Sequence, residues 1–190
     1  MRFLYDYLFP VMWLAYIVYW RIMASDVKAT ERIEPSFSRL LRLVLMLSSL
    51  ALLALPHFPV DFLNRRFLPA SLWSFWIGAA VTACGLLFSV WARVHLGKNW
   101  SQAVTLKQDH ELITTGPYAL VRHPIYTGLL LAVLGTAIAR GEWRGLLAFF
   151  LGFLALWSKL RLEEKWMRAH FGESYDAYSR RVSALLPYIV

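Results

Sequence analysis

Five apolar runs, each closed by charged or helix-breaking residues, leave this chain few folds to choose from. They cover roughly residues 3–24, 40–55, 72–94, 125–139 and 143–157. Backbone placed in hydrocarbon must satisfy its own hydrogen bonds, and an α-helix does so within one segment. With 58% of its 190 residues hydrophobic, the chain is more apolar than a soluble domain of this length requires. The pattern predicts an all-α, polytopic integral membrane protein with about five transmembrane helices and a helical cap at its C-terminal end. It reads as one membrane domain over 1–190. Three N-terminal spans fill 1–95, and a polar loop, a helical hairpin and the cap fill 96–190.

Details within the runs sharpen this. Asp6 and Pro10 predict an interfacial start or a kink in the first. Gly78, Ala79, Ala80, Ala83 and Gly85 give the third run a small-residue face suited to close helix packing. The fourth and fifth are shorter than the ~20 residues that span a bilayer comfortably. Arg140, Gly141, Glu142 and Arg144 make the tip between them polar, which favours a spanning hairpin over a re-entrant one. Beyond Lys159 the chain turns amphipathic, with Leu162, Trp166, Ala169 and His170 on one helical face and a stop at Gly172. A last helix is expected over 174–185, with Tyr175, Tyr178 and Val182 on one side.

The charge is +8 and lies between the apolar runs, so anionic lipid headgroups are its simplest partner and no nucleic-acid motif appears. With five spans, Arg2, Arg65, Arg66, Arg140 and Arg144 fall on one side and the other fifteen cations on the other. The positive-inside rule then places the N-terminus outside and the richer side, with the C-terminus, in the cytoplasm. The single cysteine, Cys84, excludes a disulfide framework, and no cleavable leader is expected at Met1-Arg2.

Chemistry concentrates in two elements. In Arg122-His123-Pro124-Ile125-Tyr126, proline disfavours helix before it and fits a first helical turn, so His123 precedes a helix that Pro124 opens. The free N–H groups and partial positive charge of that helix start suit an anionic group. Gly116-Pro117 makes a turn that sets Tyr118 nearby. The bland alternative, a capped interfacial helix with arginine and tyrosine anchors, weighs about equally. Glu163-Glu164 follows the fifth run. Taken alone it is an ion-pair face on a solvated helix, but the hairpin returns it to the side where His123 lies. Asn99-Trp100-Ser101-Gln102 either presents hydrogen-bonding groups to a nucleoside or anchors a loop in the headgroups. His95, His110 and His123 lack metal-ligand spacing, so no metal site is expected.

The run from Leu112-Ile113-Thr114-Thr115-Gly116-Pro117-Tyr118 through Arg122-His123-Pro124-Ile125-Tyr126-Thr127-Gly128 resembles the isoprenylcysteine carboxyl methyltransferases and their prokaryotic relatives. So does Glu163-Glu164 with Phe171-Gly172, Tyr175, Tyr178 and Arg181-Val182 to Pro187. The likeness covers about half the chain, from Leu96 onward. It implies S-adenosylmethionine as methyl donor and a lipophilic small-molecule or prenylated acceptor. It also implies a site facing the cytoplasm, in a membrane expected to be the prokaryotic cytoplasmic membrane. Carried over, cofactor contacts fall on Gln102, Leu112, Tyr118, His123, Pro124, Tyr126 and Glu163. The catalytic set is Glu163 with Arg161 or Arg122, either arginine holding a substrate carboxylate; for the arginine that eukaryotic members carry before the acidic pair, Lys159 and Arg161 both offer a cation. Alternatives are methylation of a small thiol or a phospholipid amine, an NADPH-dependent membrane reductase, and a scaffold protein without enzymatic activity.

Overall fold

The computed structural model describes residues 2–23, 36–97 and 112–187. Its helices are α1 (Arg2–Met23), α2 (Ser36–Ala54), α3 (Asp61–Asn64), α4 (Leu72–Leu96), α5 (Pro124–Arg140), α6 (Trp143–Phe171) and α7 (Glu173–Arg181). A 3-10 turn over Gly116–Ala119 precedes α5. Each of the five apolar runs becomes one long helix: α1, α2, α4, α5 and α6. Among the described residues, α2, α4 and α6 are long and apolar enough to cross a membrane, while α5 is a shorter apolar helix of 17 residues. At 1.5 Å per residue α5 reaches about 25 Å. Pro10 lies inside α1, which runs on past it on both sides.

Local chemistry sets the helix ends. Ser71 caps α4, accepting from the Ser74 backbone N–H at 3.0 Å. Pro124 opens α5, and Gly141 closes it in the left-handed conformation at φ 67°. Gly172, at φ 53°, separates α6 from α7.

Three expectations need correction. The fifth run and the amphipathic segment after Lys159 are one uninterrupted helix of 29 residues, so Glu163 lies deep within α6 and does not begin a separate C-terminal helix. Nothing between Trp157 and Lys165 breaks a helix, and Lys, Leu, Arg and Glu all favour one. On the predicted face Trp166 is buried, whereas Ala169 and His170 are exposed. The final helix ends at Arg181 rather than residue 185, because the backbone beyond it pairs with the start of α5.

The α4–α5 pair is the tightest packing in the molecule. A Cβ at Gly85 would lie 2.5 Å from the Gly128 carbonyl oxygen, and one at Gly78 the same distance from that of Gly135. These glycines repeat every seven residues on both helices, so the two backbones approach along one seam. Thr82 bridges it, its hydroxyl lying 3.3 Å from Thr136 Oγ1 on α5. α1 docks through Trp13 Nε1 on Thr136 Oγ1 (3.2 Å) and Tyr16 on Ser89 (2.8 Å). Gly85→Leu is expected to force the seam apart and cost on the order of 3 kcal/mol or more. Thermal unfolding of the detergent-solubilised protein against wild type checks this.

The hairpin tip is polar, as predicted, yet turned inward. Arg140 and Arg144 are buried, donating to the Leu53 and Leu55 carbonyls at the end of α2, both at 2.7 Å. Glu142 pairs with Arg144 at 2.6 Å. Helix C-termini leave carbonyls without intrahelical donors, and the two arginines satisfy those of α2. Tyr5 meets Arg140 at this end, and Thr127 reaches Leu185 at the opposite end. Tyr5 and Leu185 therefore lie at opposite ends of the bundle.

Candidate active site

The start of α5 and the polar length of α6 meet at the end of the bundle opposite Arg140. His123 is the N-cap of α5 (φ −124°, ψ 61°), and its carbonyl accepts from the Tyr126 and Thr127 N–H groups, both at 3.0 Å. Tyr126, on the first turn, stacks its ring parallel to the His123 imidazole, centroids 5.4 Å apart. Its hydroxyl donates to Glu163 Oε1 at 2.6 Å. His123 Nδ1 lies 3.5 Å from Glu163 Oε2, and Lys159 Nζ lies 4.0 Å from Glu163 Oε1. Lys159 also sits over the Tyr126 ring at 5.5 Å. Glu163 is thus the hub of a mixed aromatic and charged cluster.

Its neighbour Glu164, about 100° further round the helix, has another task. Arg122 Nε donates to it at 2.8 Å and Arg122 Nη2 at 2.5 Å. Arg168, one turn on, stands at 3.5 Å. The remaining guanidinium nitrogen of Arg122 donates to the Ser179 carbonyl at 3.0 Å and to that of Val182. Backbone pairing completes the clasp. The Arg122 and His123 N–H groups donate to the Ser183 and Ala184 carbonyls at 2.8 and 3.0 Å, and Thr127 Oγ1 donates to Leu185 at 2.7 Å. Tyr178 donates to the Tyr118 carbonyl at 2.6 Å. Burial pushes the Tyr178 hydroxyl up to about 12, so it stays a donor. The C-terminal cap is lashed to the beginning of α5 by groups about sixty residues apart in sequence.

His123 is buried between the two carboxylates. Its Nε2 makes no hydrogen bond, the nearest carboxylate oxygen, on Glu164, being 3.5 Å away. Burial opposes its charged form, but Glu163 and Glu164 together outweigh burial and raise its pKa above the usual histidine value. A raised folded pKa gives stability that is fully present below about pH 6.5 and lost as pH climbs through the higher folded value. His123→Gln is therefore expected to be most destabilising relative to wild type in mild acid, and the gap should narrow on the alkaline side. A series of Tm values from pH 5.5 to 9 measures it.

The sequence-derived candidates divide. His123, Pro124, Tyr126 and Glu163 come together, and Tyr118, buried on the 3-10 turn, belongs to the same apolar cluster as Tyr126. Leu112 is half-buried at the start of the segment leading to that turn. Gln102 lies outside the described residues. Arg122 is committed to Glu164 and the C-terminal carbonyls. Arg161 is exposed and rests over the Trp157 ring at 5.9 Å, away from the cluster. Of the two cations offered before the acidic pair, Lys159 and Arg161, it is Lys159 that lies beside Glu163. Arg42 is a buried arginine in the first half of α2. An arginine inside the apolar run 40–55 was the available signal for it. No group of three or more metal-ligating side chains occurs among the described residues.

The bundle thus gathers His123, Tyr126, Glu163 and Lys159 at one end, Tyr126 buried and Glu163 and Lys159 partly exposed. The chain belongs to the phospholipid methyltransferase family, whose model matches residues 73–174. The match begins at the start of α4, so family likeness extends upstream of Leu96 into the third apolar run. A protein-S-isoprenylcysteine O-methyltransferase of Schizosaccharomyces pombe is 37% identical over 101 residues, 52% of this chain and 43% of that protein. A probable protein-S-isoprenylcysteine O-methyltransferase of Oryza sativa subsp. indica is 29% identical over 76% of this chain and 80% of its own length. A solved structure of a eukaryotic intramembrane Ras methyltransferase, isoprenylcysteine carboxyl methyltransferase, shares the fold with a TM-score of 0.58 at 23% identity. The overlap covers 81% of this chain and 52% of that one. The chain thus spans less than half the length of the S. pombe relative and about half that of the solved structure.

Proposed function

We propose that this protein transfers a methyl group from S-adenosylmethionine to the carboxylate of a lipophilic, isoprenylcysteine-type acceptor at the end of the bundle where α5 begins. The observation that carries the reading is Glu163, held by the Tyr126 hydroxyl at 2.6 Å beside His123 and Lys159 where a membrane helix starts. The residues suit such a donor. A buried ring nitrogen on His123 is left without a hydrogen bond, and aromatic rings suit a sulfonium cation. Tyr126, His123 and Glu163 would hold it, supplying orientation and a neutralising carboxylate.

When bound, this donor brings a methyl group that is already activated. Transfer forms a bond between an acceptor carboxylate oxygen and the methyl carbon and breaks the methyl carbon–sulfur bond, whose electron pair remains on sulfur. A carboxylate is ionised at neutral pH, so no proton is moved and no strong general base is needed. The contribution left to the protein is in-line positioning of a partly desolvated nucleophile. The fifteen-to-five cation split favours a cytoplasmic site.

The test is methyl incorporation from labelled S-adenosylmethionine by the purified protein in lipid nanodiscs. An S-farnesylcysteine carboxylic acid is expected to be labelled as a base-labile ester. A second reading, methylation of a phospholipid amine, draws on the family's description. It predicts base-stable label in phosphatidylethanolamine instead, and that result would displace the carboxylate reading.

A further inference from the structure

At the end of the bundle away from Glu163, a cavity of about 360 Å³ opens among α1, α4, α5, α6 and the segment between α2 and α4. Small-ligand sites occupy roughly 300–1,000 Å³. The wall carries Arg66, Arg140 and Arg144 against two carboxylates, Asp6 and Glu142. These arginines are three of the five cations on the cation-poor side of the five-span pattern. Glu142 serves Arg144 Nε at 2.6 Å and stands 3.5 Å from Arg140 Nη1. Arg66 is exposed, donates through Nε to the Leu68 carbonyl at 3.0 Å, and forms no ion pair among the described residues. Three arginines against two carboxylates leave the wall with a single positive charge in excess. The depth of the cavity is marked by aromatic side chains. Trp73 and Trp76, on the first turns of α4 beside the wall residue Phe75, are exposed, as is Trp143 next to Glu142. Exposed tryptophans of a membrane protein gather at the headgroup level.

We infer that this cavity is a second binding site, one that takes the phosphodiester of an anionic phospholipid whose acyl chains lie along the exposed apolar side of α4. A phosphodiester carries one negative charge, which matches the excess on the wall. Its two free oxygens accept from guanidinium N–H groups, as Arg66 and the Nη1 of Arg140 offer them. Basic pockets between membrane helices recognise lipid headgroups by this chemistry. A free phosphate ion would share it, but has no use for a site at headgroup depth with lipid-facing Trp76 and Ile77 below it. Because the wall draws on helices from both ends of the sequence, an occupant would tie α1 to α4, α5 and α6. The competing role is purely internal: Arg140 and Arg144 hold the last carbonyls of α2, and Arg66 is a solvated cation. That role makes no distinction between a lipid with a phosphate and one without.

Lipid titration of the delipidated full chain in a neutral detergent separates the two. The probes are dioleoylphosphatidylglycerol, dioleoylglycerol and inorganic phosphate, with binding read by native mass spectrometry and by the rise in unfolding temperature that a ligand of the folded state confers. Wild type is expected to hold phosphatidylglycerol saturably and at least about tenfold more tightly than the diacylglycerol, the preference a charge-assisted pairing gives. R66Q is expected to weaken phosphatidylglycerol binding at least about fivefold. Ala70→Phe fills the cavity wall while leaving every charge in place, and is expected to weaken it as much. R65Q, next in sequence but outside the wall, is expected to bind as wild type does. Equal binding of the two lipids by wild type would overturn the inference. So would an equal loss in R65Q and R66Q, which would mark general attraction to a basic surface, or full binding in Ala70→Phe. Protection by inorganic phosphate at the same concentrations as phosphatidylglycerol would overturn it in favour of a free ion. If one variant unfolds in lipid-free detergent, the other variant and the wild-type comparison of the two lipids still decide.

Discussion

Glu163→Gln is expected to lower methyl-transfer turnover on the order of a hundredfold, through loss of a positioning contact, in a protein that still folds. Glutamine keeps the size of the side chain and can still accept from the Tyr126 hydroxyl, so packing at the start of α5 is preserved. What it removes is the negative charge that faces His123 and Lys159. Lys159 would then meet no opposing charge on that side, and a cationic donor held there would lose a neutralising carboxylate. Turnover of Glu163→Gln with a verified acceptor, measured beside its unfolding temperature, decides the matter. Wild-type turnover in a folded variant would reduce Glu163 to an ion-pair partner of Lys159.

Arg122→Ala is expected to have its largest effect on stability. Removing one member of a buried ion pair leaves the other charged and unpartnered, which costs about 3–5 kcal/mol. Here Glu164 would lose its principal donor and the Ser179 and Val182 carbonyls a shared one. Arg168, about half exposed, stands at 3.5 Å from Glu164 and offers only partial replacement. The cap should detach before the transmembrane bundle unfolds. Limited proteolysis after α6 should therefore accelerate in Arg122→Ala more than the global unfolding temperature falls. A variant with wild-type stability and cap protection but no activity would return Arg122 to the role of substrate-carboxylate holder that the sequence allowed.

Much of this architecture can be read along the chain, because hydropathy and proline act locally. Five apolar runs correspond to five long helices, and Pro124 placed the His123–helix boundary where it falls. The small residues of the third run do form a close seam, although the matching glycines at 128 and 135 emerge only when α5 is laid against α4. What hydropathy misreports is α6. The chain becomes polar after Trp157, yet its helix continues, since leaving the apolar layer changes the side chains and not the backbone.

Pairings across long sequence gaps were the least legible. Arg122 sits next to His123 in sequence, which invites a shared role, but its partners are Glu164 and carbonyls near residue 180. Arg161 is two residues from Glu163, and that spacing turns it to another face of the helix.

Calorimetry of the solubilised wild-type protein with S-adenosylhomocysteine and, separately, NADPH tests the central claim most directly. Saturable one-to-one binding of S-adenosylhomocysteine is expected, weakened by at least about tenfold in His123→Ala through loss of a buried hydrogen-bonding group, with no binding of NADPH. Saturable NADPH binding without S-adenosylhomocysteine binding, or His123→Ala binding as tightly as wild type, would contradict the account.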